Sequence, residues 1–190
     1  MQLEDAIKNR KSVKKYSSKK PDWRKVIQAI DYARYVPMAG NQNVTRFIMI
    51  QDTDKIKKLA SASSQNFIQE AQIVVAVISD GSTLNKHFDE FGEKYARQQS
   101  GAMIQNFLLA LTEKKLATTW VGWYNEEKIK KILEVPEEMT VEAIFPIGIE
   151  TEATKNDKPK RKPDLEGFIY FDSWENKEMT PPTRVREING

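Results

Sequence analysis

The chain has 190 residues, of which 30 are Lys or Arg and 27 are Asp or Glu, giving a formal net charge of +3. It has no cysteine and a single histidine, His87, so disulfides, Cys-ligated zinc and iron–sulfur clusters are excluded. A His-rich metal centre or a Ser-His-Asp triad is disfavoured for the same reason, and no metal is expected. The length favours one domain, and no apolar run approaches the length of a membrane span. The charged first 16 residues lack the pattern of a secretory leader, so a cytoplasmic protein with no membrane partner is expected.

Taken in chain order, apolar positions 3, 6 and 7 predict a short helix over residues 3–10. Pro21 and Asp22 open a second helix whose face carries Trp23, Val26, Ile27, Ile30 and Ala33. Residues 37–43 hold a proline, a glycine and two asparagines and read as a loop. A strand is expected at residues 46–51, a helix at 54–60, and a central strand buried on both faces at 73–79. Residues 82–97 form a polar helical stretch containing Phe88, Phe91 and Tyr95, in which Asp89, Glu90, Glu93 and His87 read as a solvated face. Residues 101–115 carry a wide apolar face that needs cover on nearly all sides.

Further on, residues 117–123 read as a strand, 126–133 as a helix, and 141–149 as a strand interrupted by Pro146. A charged loop over 151–163 leads to a late strand at 168–171, Phe-Ile-Tyr-Phe. That segment either pairs within its own sheet or reaches a partner subunit. The whole reads as α+β, with four or five strands and several helices.

The basic residues gather in two places. Lys8, Arg10, Lys11, Lys14, Lys15, Lys19 and Lys20 form one cluster, and Lys155, Lys158, Lys160, Arg161 and Lys162 the other. Two such clusters suit an anion held between them, although solvated loops or helix-end charges give the same composition. No phosphate loop and no glycine fingerprint after a strand is present. Helix-turn-helix spacing, a zinc knuckle and an aromatic RNA-binding strand are also missing, so nucleic acid is not expected as a partner.

Three segments, read together, carry a resemblance. Residues 6–16 are AIKNRKSVKKY, residues 37–47 are PMAGNQNVTRF, and residues 116–122 are LATTWVG. The last is followed by FPIG at 145–148 and RKP at 161–163. In this order the chain resembles the nitroreductase family of FMN-dependent oxidoreductases over roughly residues 2–171.

That resemblance implies a nitroreductase-like α+β fold, with a central mixed sheet flanked by helices in an intertwined homodimer. Residues 1–171 would form the FMN-binding domain, and residues 172–190 a polar tail wrapping the partner. It implies noncovalent FMN, NADH or NADPH as donor, and a small acceptor such as a nitroaromatic or quinone. No side chain is assigned as catalytic. Relatives of different flavin chemistry (oxygen-dependent FMN fragmentation or reductive dehalogenation) and a non-catalytic FMN-binding protein stay open beside this reading.

By the resemblance, Arg10, Lys11 and Ser12 grip the FMN phosphate and ribityl chain, and Lys14 approaches the pyrimidine end of the flavin. Arg161 and Lys162 close on the phosphate from the other side. Pro37, Met38, Ala39 and Asn41 belong to a loop that serves the partner's flavin; Pro37, Ala39 and Asn41 match the family pattern. Met38, Asn43, Val44 and Thr45 replace its serine, glutamine, proline and tryptophan. Val121 and Gly122 lie in the segment whose backbone N–H faces flavin N5, while Trp120 and Trp123 also fit ordinary core packing. Residues 82–97 correspond to the family's variable insert, a candidate lid.

Overall fold

Ile73–Ser79 is buried at every position, and its side chains divide by parity as a strand requires. Ile73, Val75 and Val77 enter one hydrophobic cluster, and Val74, Ala76 and Ile78 enter another. Both faces of the sheet are therefore covered, which explains the unbroken apolar run. These relationships come from a computed structural model that describes residues 1–157, 159 and 162–178.

The chain divides into two compact units, Met1–Pro159 and Lys160–Gly190. In the first, β1 (Thr45–Ile50), β2 (Ile73–Ser79), β3 (Ala117–Thr118) and β4 (Thr140–Gly148) form one sheet in the order β1-β2-β4-β3. Every pairing among the described residues is antiparallel, so the sheet is not mixed as expected. The helical segment between β1 and β2 returns the chain beside β1 in the opposite direction.

On one face lie α2 (Trp23–Ala33) and α5 (Gly92–Glu113), which bury Val26, Ala29, Ala33, Phe107 and Leu111 against the odd-numbered residues of β2. On the other, α3 (Thr53–Ala62) and α6 (Glu126–Leu133) bury Ile56, Leu59 and Ile129 against the even-numbered ones. Each such Ile or Leu contributes roughly 1.5–3 kcal/mol on burial. The helix caps are local: Asp22, Asp52 and Asn125 each accept an N–H of the first turn.

Several expectations are corrected. Pro146 does not interrupt β4; it pairs in register with Val74. On its other side β3 reaches only Ile147 and Gly148, so the ladder has already thinned where proline lacks a donor. The strand expected over residues 117–123 shrinks to Ala117–Thr118 and a single bridge, Val121 to Ile144. The polar stretch over 82–97 is not one helix. It is α4 (Gly81–Phe88), a break at Asp89, and the first turns of α5.

In the second unit, the segment 168–171 forms no strand among the described residues. Phe168 ends a 3-10 turn at Leu165–Gly167, and its side chain is 67% exposed. β-propensity alone makes no strand without an edge to pair with. Among the described residues, no helix is long and apolar enough to cross a membrane.

Candidate functional site

α1 (Leu3–Asn9) ends at Arg10, whose φ of −59° and ψ of 121° turn the chain into an extended run. That run is tied to the sheet. Val13 N–H donates to Thr118 O at 2.9 Å, Tyr16 bridges Glu150, and Ser17 N–H donates to Ile149 O at 2.8 Å. The Tyr16 hydroxyl adds a bond to Val13 O at 2.7 Å. Burial, and Glu70 to a lesser degree, push its pKa far up, so it remains a neutral donor.

An extended run alternates sides, and here alternation divides the basic cluster. Lys11 turns inward, its side chain 16% exposed. Its Nζ lies 2.9 Å from Glu150 Oε1 and donates to Thr154 O at 2.7 Å and Asp157 O at 2.9 Å. It thus ties down the end of α7 (Glu152–Lys155). Ser12 and Lys14 are exposed and Arg10 is half-exposed. Among the described residues neither Arg10 nor Lys14 has a carboxylate at ion-pair distance, and Lys14 Nζ sits 5.1 Å above the Phe67 ring. The expectation that Lys11 stands beside Arg10 as a second phosphate cation therefore meets an obstacle: its charge is already matched by Glu150.

The second element is the segment after β3. Val121 N–H donates to Ile144 O and its carbonyl accepts from Ile144 N–H, both at 3.0 Å, so this amide is engaged within the sheet. Gly122 differs. It is exposed, its N–H has no hydrogen bond among the described residues, and a Cβ there would meet nothing closer than Trp120 Nε1 at 3.6 Å. Trp120 leans on Phe145 at 5.6 Å yet stays 46% exposed, and Trp123 is 82% exposed, so neither is plain core. Thr118, whose carbonyl takes the Val13 N–H, has a buried hydroxyl with no partner among the described residues.

The third element is the loop at residues 37–43. Ala39–Asn41 makes one 3-10 turn, with Gly40 at φ 55° and Asn41 at φ 56°, a region glycine and asparagine tolerate best. Pro37, Met38 and Ala39 line a cleft of about 390 Å³ together with Tyr95 and Gln98. Among the described residues, the loop makes no hydrogen bond, ion pair or ring contact with residues 10–14 or 120–123. Arg161 lies outside the described residues, and Lys162 is an exposed residue of the second unit.

Sequence reading gave no role to Phe67 and Gln65, nor to Tyr16 and Thr118 within its motifs. Gln65 Nε2 donates to Trp123 O at 3.2 Å, so the turn at Asn66–Glu70 and the tryptophan segment meet beside Lys14. Only the tertiary fold brings these together, and no local signal announces them. Phe88, expected on a lid, packs half-buried among Ala39, Val44, Leu84, Tyr95 and Ala96.

Comparison with known proteins matches residues 7–79 and 61–149 to the family model described as "Nitroreductase family". The chain belongs to the nitroreductase family. It is 23% identical over 162 residues to the iodotyrosine deiodinase of Thermotoga neapolitana, covering 77% of this chain and 87% of that protein. An FMN-dependent nitroreductase from Clostridium difficile superposes with a TM-score of 0.74 at 19% identity, covering 89% of this chain and 98% of that one. The NADPH:FMN oxidoreductase of Vibrio harveyi superposes with a TM-score of 0.80 at 16% identity, covering 94% and 79%. At these identities the two structural likenesses establish the nitroreductase fold.

Proposed function

We propose that two copies of this chain hold FMN noncovalently between them and pass electrons from NADH or NADPH to a small acceptor such as a nitroaromatic or quinone. Residues 10–14 and Gly122 of one chain would hold each flavin, and the 37–43 loop of the other would wall it. The observation that carries this reading is the division of the basic run: Lys11 is turned in onto Glu150, while Ser12 and Lys14 are exposed and Arg10 is half-exposed.

These residues fit a phosphorylated, planar cofactor. A guanidinium fork and a hydroxyl suit phosphate oxygens, and an ammonium suits the electron-rich end of a flavin. Gly122, open and with an unengaged N–H, lets main chain come close to a ring. FMN, when bound, supplies two-electron transfer at N5 between a nicotinamide and an acceptor. The side chains named here bind and orient; none is required as acid or base.

The dimer is supported by apolar side chains that one chain leaves open. Leu3 is 68% exposed and Ile7 52%, and Tyr35 and Trp23 add to them. Similarity to the Thermotoga deiodinase favours reductive dehalogenation as a second reading, with two electrons and a proton from solvent converting carbon–iodine into carbon–hydrogen and iodide.

The test is direct. Purified chain should take up FMN with quenched flavin fluorescence and sediment at about twice 21.9 kDa. Under anaerobic conditions it should oxidise NADH or NADPH in the presence of a nitroaromatic or quinone. Iodide release from an iodophenol would select the second reading. A monomer that binds FMN fully would overturn the shared site.

A further inference from the structure

The junction between α4 and α5 is built with unusual firmness for a helix turn. Asp89 has φ 47° and ψ −131°, a strained conformation for a residue with a side chain. Gly92 is wedged so tightly that a Cβ would fall 2.2 Å from Asn85 N, and the Glu93 N–H is held by Asn85 Oδ1 at 3.1 Å.

What the junction presents is Phe88. A Cβ on Gly40 would lie 3.1 Å from Phe88 Cζ, so the ring sits directly against the backbone of the 37–43 loop. Tyr95 backs the ring edge-to-face at 5.3 Å. From α5, Gln99 reaches the end of the same loop and is only 4% exposed. Assigned by its hydrogen-bond partners, the amide directs Nε2 to Gln42 O at 3.1 Å and accepts the Val44 N–H on Oε1 at 3.2 Å, the orientation that satisfies both backbone groups. The second bond needs an N–H at residue 44, which valine has and proline lacks. The loop's own backbone bonds are two: Asn41 N to Met38 O and Gln42 N to Ala39 O.

We infer that Phe88 and Gln99 are positioning residues: they fix the backbone of the 37–43 loop and so set the shape of the wall that the electron acceptor meets. The acceptor part of this inference rests on the function proposed above. Beyond its two backbone bonds and the contacts of Asn43 with Thr45 N–H and Arg46 Nη1, this loop takes its conformation from what packs on it. An apolar ring against Gly40 and an amide clamp on residues 42 and 44 act at two ends of one short segment. Residues that touch neither cofactor nor acceptor would then govern acceptor choice.

Hydrogen exchange on the full chain tests the brace without FMN. In Gln99→Leu and in Phe88→Ala, the amides of residues 41–44 should exchange roughly tenfold faster, with those of β2 unchanged. Phe88→Tyr, which keeps the ring, should restore slow exchange. With FMN bound, both loosening variants should raise KM for the acceptor several-fold. Gln99→Leu stands as the test if Phe88→Ala fails to fold. Unchanged loop exchange in a folded variant overturns the inference, whatever the chain does with FMN. Faster exchange with an unchanged acceptor KM also overturns it, because the brace then shapes nothing the acceptor meets. A wild-type chain that takes up no FMN overturns the function proposed above, and loop exchange then decides the brace alone.

Discussion

The ring of Tyr16 lies so close to Gly148 that a Cβ at residue 148 would fall 2.7 Å from Tyr16 Cδ1. The extended segment carrying Arg10, Ser12 and Lys14 is seated on β4 through this contact. Gly148→Ala should therefore displace the segment at its anchor. The expected loss is about 1–3 kcal/mol of stability in urea denaturation, as for overpacking, with weaker FMN binding beside it. A variant that keeps both stability and FMN affinity would mean that the anchor has slack.

Arg10 and Lys11 are neighbours with opposite expected behaviour. Arg10→Ala should leave stability nearly unchanged and weaken FMN by about 1.5–3 kcal/mol, as for a charge-assisted bond. Lys11→Met removes the partner of Glu150 from a largely buried pair and three carbonyls, so it should destabilise the fold by about 1–3 kcal/mol, allowing for partial exposure. If Lys11→Met instead leaves the melting temperature alone and removes FMN binding, its side chain serves the phosphate.

Residues 10–14 show where sequence reading reaches its limit. The strand pattern at 73–79 was legible because burial on both faces needs only an apolar run. The basic motif was legible as a motif, but not which of its cations faces outward. That depends on Glu150 and the carbonyls of residues 154–157, about 140 positions away. Phe-Ile-Tyr-Phe at 168–171 forms no strand within its own chain among the described residues, because β-propensity does not itself supply an edge to pair with. Gln99 was invisible for another reason: in the run Lys94-Tyr95-Ala96-Arg97-Gln98-Gln99 it looks like a solvated residue, and only the turn of the 37–43 loop toward α5 gives its amide partners.

Asp80 caps α4 through Thr83 N–H at 3.2 Å, with the hydroxyls of Thr83 and Ser82 at 2.6 and 2.7 Å. Those side-chain bonds, Thr83 first and then Ser82, hold its carboxyl below the ordinary pKa. A depressed folded pKa stabilises above the unfolded pKa, and this contribution is lost as pH falls through the folded value. Asp80→Ala should thus cost about 0.5–2 kcal/mol at neutral pH. The gap from wild type should close only in acid, below the usual carboxylate range. Urea midpoints across pH would reveal it, and a gap constant down to strong acid would rule out the ionised cap.

Gly122 gives the sharpest test of the cofactor site, because stability and binding should separate there. Its neighbour Val121 is fixed by two bonds to Ile144, so substitution at 121 would disturb the sheet whatever the site does. At Gly122 the added methyl of Gly122→Ala meets only Trp120 Nε1 at 3.6 Å, an ordinary contact, and the backbone there has no left-handed φ to strain. Stability should stay within about 0.5 kcal/mol of wild type. If a flavin ring lies against this main chain, the same methyl stands between them, and FMN should bind about tenfold or more weaker, ~1.4 kcal/mol. Titration of flavin fluorescence against each protein, with denaturation curves in parallel, reads both quantities. Equal FMN affinity in the two proteins would remove residue 122 from the site and leave Arg10, Ser12 and Lys14 to hold the cofactor elsewhere along the same edge.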